Sequence, residues 1–475
     1  MSNAKVYKWS LIERITVAVL NFGGNIALAR MLTTADFGLL AMIAIFIAIA
    51  SDLSSCGLTD GLIHKAHPTK EDYSTIFVFN TAFGLLFGLS FFFGAPLVAG
   101  FFGHEELKGI MRVLGICFFF QTMSFVQETK LRKELEMKKI CFVKVGATIT
   151  SLALGLTLAA VGFGYWALVC TQILLSVFIF LYYLAASRWF PKIAFCSKSF
   201  KELFSFGIHL VLAYIGTVIG KNINTFVLGK FYAPSTSGVY SQGAKLANVP
   251  FSVTENSINS PFFVVASNET DPETQRNLIR NMLSVIVGVN GLLLCFMLVI
   301  AAPGIAALYG EKWMGAVPVF RILALFEFLC CVKAYFQTVC KVHGRTVFIR
   351  NLSFAEVAFQ LLLLSIFYRD GLIWIAWTQI GGVFLSVVVH SFLYCHLTRQ
   401  RHRDLAATMA RALCLPFVGG FFATGVSIAV YALVDVPAII MCLIIAAAYA
   451  VSIVGMGEIT KPYVYMTLRQ RFLKR

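Results

Sequence analysis

Charge is scarce in this 475-residue chain, at 13% of residues, and acidic charge is scarcer still, with 23 Asp and Glu against 39 Lys and Arg. Long polar stretches are missing too. No loop between apolar runs exceeds about 15 residues, the length of an ordinary connection, so no folded soluble domain is expected outside the apolar part. There is no Walker A sequence, no dinucleotide-binding glycine fingerprint and no serine-nucleophile elbow, which excludes ATP hydrolysis by this chain. The twelve Cys include no CxxC pair; a disulfide scaffold or structural zinc site is not expected, and these residues read as small packing groups. The eight His are scattered, and the local pair in 64-HKAH-67 sits in a basic loop, without metal-ligand spacing. No metal, no cofactor and no enzymatic activity are expected.

What is present is apolar sequence: 59% of residues, with a mean hydropathy of +0.80. Crossing a bilayer core takes roughly 20 apolar residues per helix. Fourteen spans are expected, near 11–29, 36–63, 74–102, 109–129, 141–161, 166–187, 203–228, 237–266, 280–302, 315–340, 347–367, 372–396, 408–433 and 437–457. The fold class is an all-α polytopic membrane protein. Lys and Arg alternate across the connections: 29 fall on the side of the termini, six on the other (Arg30, Lys108, Arg112, Lys230, Lys312, Arg369), and four within spans (Lys221, Lys245, Arg321, Lys333). By the positive-inside rule both termini are cytoplasmic. All six Trp fall near expected helix ends, as in an interfacial belt. The net charge of +16 lies in short loops beside spans, which fits anionic membrane lipids as partners and not nucleic acid. The first span, opening on Glu13–Arg14 without a small-residue cleavage site, reads as a retained helix.

A shift of 200 residues places 28-LARMLTTADFG-38 on 228-LGKFYAPSTSG-238, and 112-RVLG-115 echoes 321-RILA-324. Six expected spans separate the members of each pair, so the two halves share one orientation. The expected architecture is two six-helix bundles (1–202 and 203–400) in a parallel pseudo-two-fold repeat, with two further helices and a basic tail at 401–475.

Ionisable groups in a spanning helix are costly and usually face a bundle interior or a water-filled cavity. In the eighth span Gln242, Lys245, Asn248, Ser252, Glu255, Asn256 and Asn259 recur at three- and four-residue spacing, one polar stripe of a helix. Pro250 and Pro261 are expected to interrupt that helix. The second span carries a shorter stripe, Asp52, Ser55 and Thr59; the seventh pairs Lys221 with Asn224, where the first has Asn21 and Asn25. For the Ser, Thr and Asn members, interhelical hydrogen bonding is an equal explanation. The lysines need an anion, and the embedded acids look too few to neutralise every base. Lys245 and Glu255 stand about 15 Å apart along one helix, and Glu327 falls on a different face from Arg321 and Lys333. A net positive lining points to an anionic cargo. Lys221, Lys245 and Arg321 are the first candidates to bind it, then Arg30, Lys230 and Lys333, with Asn224 and Asn248 beside them. Asp52, Glu255 and Glu327 are candidate ion-coupling sites.

The stretches 28-LARMLTTADFGLLAMIAIF-46, 57-GLTDGLI-63, 219-IGKNINTFVLGKF-231 and 238-GVYSQGAKLANVP-250, with Pro261–Phe262, resemble the Wzx-like polysaccharide flippases of the multidrug/oligosaccharidyl-lipid/polysaccharide exporter superfamily. The resemblance spans essentially the whole chain and implies that superfamily's fourteen-helix flippase fold in a bacterial inner membrane. It further implies a flippase that moves undecaprenyl-diphosphate-linked oligosaccharide to the outer leaflet for O-antigen or exopolysaccharide synthesis, with H+ or Na+ as a coupling ion and the polysaccharide polymerase as a contact. The family's seventh span often reads Arg-Asn-x-Asp. Here it is Lys221-Asn222-Ile223-Asn224, so the base is kept while Asn224 cannot carry a proton. A basic lining would let membrane potential assist the outward movement of an anion. Other readings are a multidrug or cation antiporter of the same superfamily, a lipid II flippase, and, from another class, a membrane polymerase or ligase, which the missing external domain disfavours.

Overall fold

The computed structural model describes residues 3–55, 62, 65, 68–187, 189, 191, 194–197, 200–201, 219–433 and 436–460. Its regular elements are helices: α1 Asn3–Met31, α2 Thr34–Met42, α3 Ala44–Ser55, α4 Lys70–Phe102, α5 Glu106–Lys133, α6 Met137–Val161, α7 Tyr165–Ser187, α8 over 219–231, α9 Pro234–Asn268, α10 Pro272–Tyr309, α11 Ala316–Val342, α12 Thr346–Phe367, α13 Leu372–Thr398, α14 His402–Leu433 and α15 Ala438–Thr460. Local chemistry sets many of the ends. Thr33 with Asp36 and Thr69 with Asp72 form reciprocal capping boxes at α2 and α4. Asp271 caps α10 ahead of Pro272, and the Thr274 side chain and N–H hold its carboxyl below the ordinary aspartate value. Gly103 and Gly162 take the left-handed conformation that ends α4 and α6.

Ten of the described helices are long and apolar enough to cross a membrane. Those that fall short match the expected spans with polar interiors. The second expected span is not one helix, because a turn at Ile43 divides α2 from α3. The stripe in α9, and Arg321, Glu327 and Lys333 in α11, lower the hydropathy of those two helices. Residues 57–61 and 63, most of the expected seventh span (203–218) and the tail beyond 460 lie outside the described residues.

Two expectations change. Pro250 and Pro261 do not interrupt α9, which runs through both. In apolar surroundings no water can take up freed backbone groups, so continuing the helix preserves every other hydrogen bond. Trp313 is not part of an interfacial belt. It is fully buried, because the connector 310–315 folds its indole onto Tyr309 at 5.8 Å. Large apolar side chains such as Phe93, Leu97 and Phe421 stand open, as lipid-facing surfaces require.

The chain forms two compact units, Met1–Gly238 and Val239–Arg475. In the first, α4 and α5 pack tightly, with Phe91 against Phe118 at 5.0 Å above a core that includes Leu107, Ile110, Leu114 and Val169. At the basic end of this unit Lys144 of α6 bridges Glu128 of α5 at 2.8 Å and Glu13 of α1 at 3.6 Å, while Arg132 Nε donates to Glu128 at 2.9 Å. Four alternating charges thus tie three helices. In the second unit Phe336 and Tyr394 join α11 to α13 at 5.0 Å, and the Tyr449 hydroxyl donates to Leu292 O at 2.7 Å, joining α15 to α10.

The sequence echo has a structural counterpart within the first unit. α1 ends at Met31 and α2 begins at Thr34; α8 ends at 231 and α9 begins at Pro234. Leu32 N–H donates to Leu28 O and Tyr232 N–H to Leu228 O, both at 2.9 Å. The first turns of α2 and α9 meet reciprocally. A Cβ on Gly38 would stand 1.7 Å from Pro234 O, and one on Gly238 would stand 1.9 Å from Thr34 O. Neither obstacle is a flexible side chain. Gly38→Ala and Gly238→Ala should each destabilise the protein by about 1–3 kcal/mol, measured as lowered melting in detergent. Because both open one contact, the double variant should lose less than the sum. Gly94→Ala, with nothing within 4 Å, should be neutral or slightly stabilising; additive losses at 38 and 238 would show two separate contacts.

Candidate functional site

In the second unit the stripe of α9 presents its polar groups unevenly. Gln242 is fully buried, whereas Lys245, Asn248 and Glu255 are exposed and Ser252 and Asn259 are half-buried. Lys245 has no carboxylate partner among the described residues. One turn on, the Asn248 side-chain amide donates to Glu327 Oε1 of α11 at 3.0 Å. This bond places Glu327 on the α9-facing side of α11, away from Arg321 and Lys333. Further along α9, the Thr254 hydroxyl donates to Asn290 Oδ1 of α10 at 2.7 Å, and that Asn is buried. Thr254 stands about half a turn around α9 from Lys245, on the face opposite the stripe, and that face joins helices, whereas Lys245 on the stripe is exposed.

The other candidates in this unit are engaged. Lys333 Nζ donates to Glu356 Oε1 of α12 at 2.8 Å, with both side chains largely buried. Arg321 Nε donates to Leu298 O of α10 at 3.3 Å, a backbone tie that leaves its charge unneutralised. The expectation of too few acids needs revision here. Glu356, an ionisable residue in an otherwise apolar expected span, is not among the sequence candidates, although that isolation is itself a signal of function or pairing. The same holds for His390 on α13, which is fully buried.

In the first unit Lys221 is exposed at the start of the described part of α8, and Asn224, one turn on, is fully buried and partnered. Lys221 has no carboxylate partner among the described residues. Arg30 is exposed at the end of α1 and is partnered. Lys230 lies over the Phe101 ring, 4.4 Å from its centroid, and donates to Phe101 O. Lys230 thereby caps the C-terminal end of α4, where a cation is favoured by the helix dipole. Asp52 belongs to α3, but its side chain lies outside the described residues, as do Asn256 and Thr59.

The embedded bases divide into two groups. Lys221 and Lys245 are without a carboxylate, whereas Lys333 is neutralised and Arg321 and Lys230 are bound to backbone carbonyls. No group of three or more His, Cys, Asp or Glu among the described residues is arranged to hold a metal ion.

Comparison with known proteins agrees with this membrane-embedded arrangement. A family model described as "Polysaccharide biosynthesis protein" matches residues 27–318. The teichuronic acid biosynthesis protein TuaB of Bacillus subtilis (strain 168) is 24% identical over 429 residues, covering 89% of this chain and 88% of that one. The lipopolysaccharide biosynthesis protein WzxC of Escherichia coli (strain K12) is 25% identical over 330 residues, or 68% and 66% of the two chains. The lipid II flippase MurJ in an inward closed conformation superposes with a TM-score of 0.75 at 12% identity, covering 99% of this chain and all of that one, so the fold is shared. The expected likeness to the Wzx-like proteins is borne out.

Proposed function

Because the chain belongs to the polysaccharide biosynthesis protein family, a family of membrane flippases and transporters, we propose that it moves undecaprenyl-diphosphate-linked oligosaccharide from the cytoplasmic to the outer leaflet of the inner membrane. The observation that carries this reading is the pair of embedded lysines, Lys221 and Lys245, that have no carboxylate among the described residues. An ammonium within a spanning helix needs a hydrated or anionic surrounding, and a diphosphate supplies the opposite charge. Asn248, one turn beyond Lys245 and exposed, suits the hydroxyl and phosphate oxygens of a sugar-diphosphate head, whereas Asn224 is fully buried and partnered and does not meet it; the polyprenyl tail stays in lipid. The matching breaks at 31–34 and 231–234, and the reciprocal glycines that follow them, support the parallel-repeat reading. Rocking of two six-helix bundles, 1–202 and 203–400, would alternate access, with 401–475 appended.

The reading is tested in vesicles containing the purified protein and a fluorescent polyprenyl-diphosphate oligosaccharide, with a membrane-impermeant quencher reporting the outer leaflet. Protein-dependent flipping of this lipid, and none of a cationic dye, is the expected outcome; the reverse would establish a cation antiporter. Moving one negative charge outward gains about 2.3 kcal/mol per 100 mV when the inside is negative. Imposing that potential should therefore speed flipping several-fold, and a rate indifferent to voltage would contradict an anionic cargo carried with net charge.

A further inference from the structure

An apolar groove opens on the surface of the second unit between α10 and α14. It encloses about 490 Å3, with Cys295, Leu298 and Val299 of α10 and Phe417, Phe421 and Thr424 of α14 among its lining residues. That is the size of a small-molecule site. Just beyond the groove, toward the Pro272 end of α10, the helices close on each other. A Cβ on Gly291 would stand 2.7 Å from a Leu413 methyl carbon, and one on Gly420 would stand 3.1 Å from Cys295 Cβ. The lining offers no polar partner. The Thr424 hydroxyl is turned back to Gly420 O of its own helix at 2.8 Å, and Cys295 is buried. Phe417 and Phe421 stand open beside the groove, so it faces lipid.

A charge stands at the other end. Helix carbonyls point toward the helix C-terminus, which for α10 is Tyr309, and Arg321 Nε of α11 donates to the carbonyl of Leu298, a lining residue, at 3.3 Å. That bond uses one of five guanidinium donors and supplies no negative charge. Arg321 is exposed and has no carboxylate partner among the described residues. A guanidinium in a spanning helix needs water or an anion, and its planar fork matches two oxygens of one phosphate. An apolar slot with a lone cation at its head fits an amphiphile of one negative charge. A sugar-diphosphate fits it poorly, because its hydroxyls need several placed polar groups and the lining has none to give.

We propose that the groove between α10 and α14 binds one anionic phospholipid, with an acyl chain along Leu298, Val299 and Phe421 and the phosphate on Arg321. The chain fills the space that the two helices leave open, and the headgroup supplies the charge that Leu298 O does not. Arg321 is then a lipid-binding residue and not a cargo contact. The site needs no cargo, so it stands independently of the transport reading above.

The test takes the full-length protein in detergent, adds phosphatidylglycerol or phosphatidylcholine with identical acyl chains, and counts retained lipid by native mass spectrometry. One phosphatidylglycerol is expected to be held about tenfold more tightly than phosphatidylcholine, the scale of one charge-assisted hydrogen bond. Arg321→Gln should erase that preference, and Arg321→Lys should keep part of it. Thr424→Phe fills the groove from an exposed position and should weaken both lipids about tenfold. A preference unchanged in Arg321→Gln, or binding unchanged in Thr424→Phe, overturns the site. If Arg321→Gln fails to purify as a single species, Thr424→Phe and Arg321→Lys decide the matter. A polyprenyl-diphosphate oligosaccharide that displaces phosphatidylglycerol one for one, and that Thr424→Phe no longer retains, would give the groove to the cargo and overturn the phospholipid assignment.

Discussion

Lys221→Gln and Lys245→Gln are each expected to cut surface polysaccharide by roughly 10- to 100-fold with the protein level unchanged. The magnitude follows from removing one charge-assisted hydrogen bond, about 1.5–3 kcal/mol, between the ammonium and the cargo. Neither lysine has a carboxylate among the described residues, so its removal strands no counter-ion and should not lower the amount of folded protein. Lys→Arg at either position keeps the charge and should restore part of the export, since guanidinium also binds phosphate but with a different reach and planar geometry. Glycan assay and immunoblot together decide the matter. Normal export in both Gln variants would remove these lysines from the transport path.

Lys333→Gln is expected to fail differently. Its ammonium is 2.8 Å from Glu356, with both side chains mostly buried, so losing it leaves a carboxylate uncompensated inside the second unit. Breaking a buried pair in this way costs about 3–5 kcal/mol, and a loss of that size should appear as lowered abundance and lowered melting. The charge-free pair Lys333→Gln with Glu356→Gln strands no ion and should recover most of the stability. The contrast is diagnostic: a cargo-binding lysine loses export at constant protein, and a paired lysine loses protein. Full abundance in the single Lys333→Gln variant would show that Glu356 is neutral in the folded state, with its proton already bound.

Much of this architecture was legible in one dimension. Helices α4 to α7 and α10 to α15 overlie the expected spans, α10 and α14 running past theirs by one to two turns, because hydropathy summed over a window reports membrane depth whatever the neighbouring helices are. The polar stripe of α9 was legible by periodicity, and the negative inference about Lys245 and Glu255 followed from helix rise alone. The likeness around residues 28–46 and 219–250 pointed to the family. The sequence did not disclose which embedded charges are already paired. Glu356 stands alone in an apolar run, and only the rotation of α12 about its own axis brings it to Lys333. Charge counted along the chain suggested a uniformly basic lining, whereas folding pairs Lys333 with Glu356 and leaves Lys221 and Lys245 without a carboxylate among the described residues.

By itself the sequence determined that the chain is a bundle of membrane helices, where those helices lie, and which of them carry polar residues. All of these depend on composition and on spacing along one strand of chain. Tertiary structure alone decided the partners: Asn248 with Glu327 across 79 residues, Lys333 with Glu356 across 23, and Gly38 against Pro234. Partnership depends on the azimuth at which each helix faces its neighbours, set by close packing of side chains that are far apart in sequence. Hydropathy averages that azimuth away, so the difference between a lysine with no carboxylate beside it and a lysine already paired with one appears only in three dimensions.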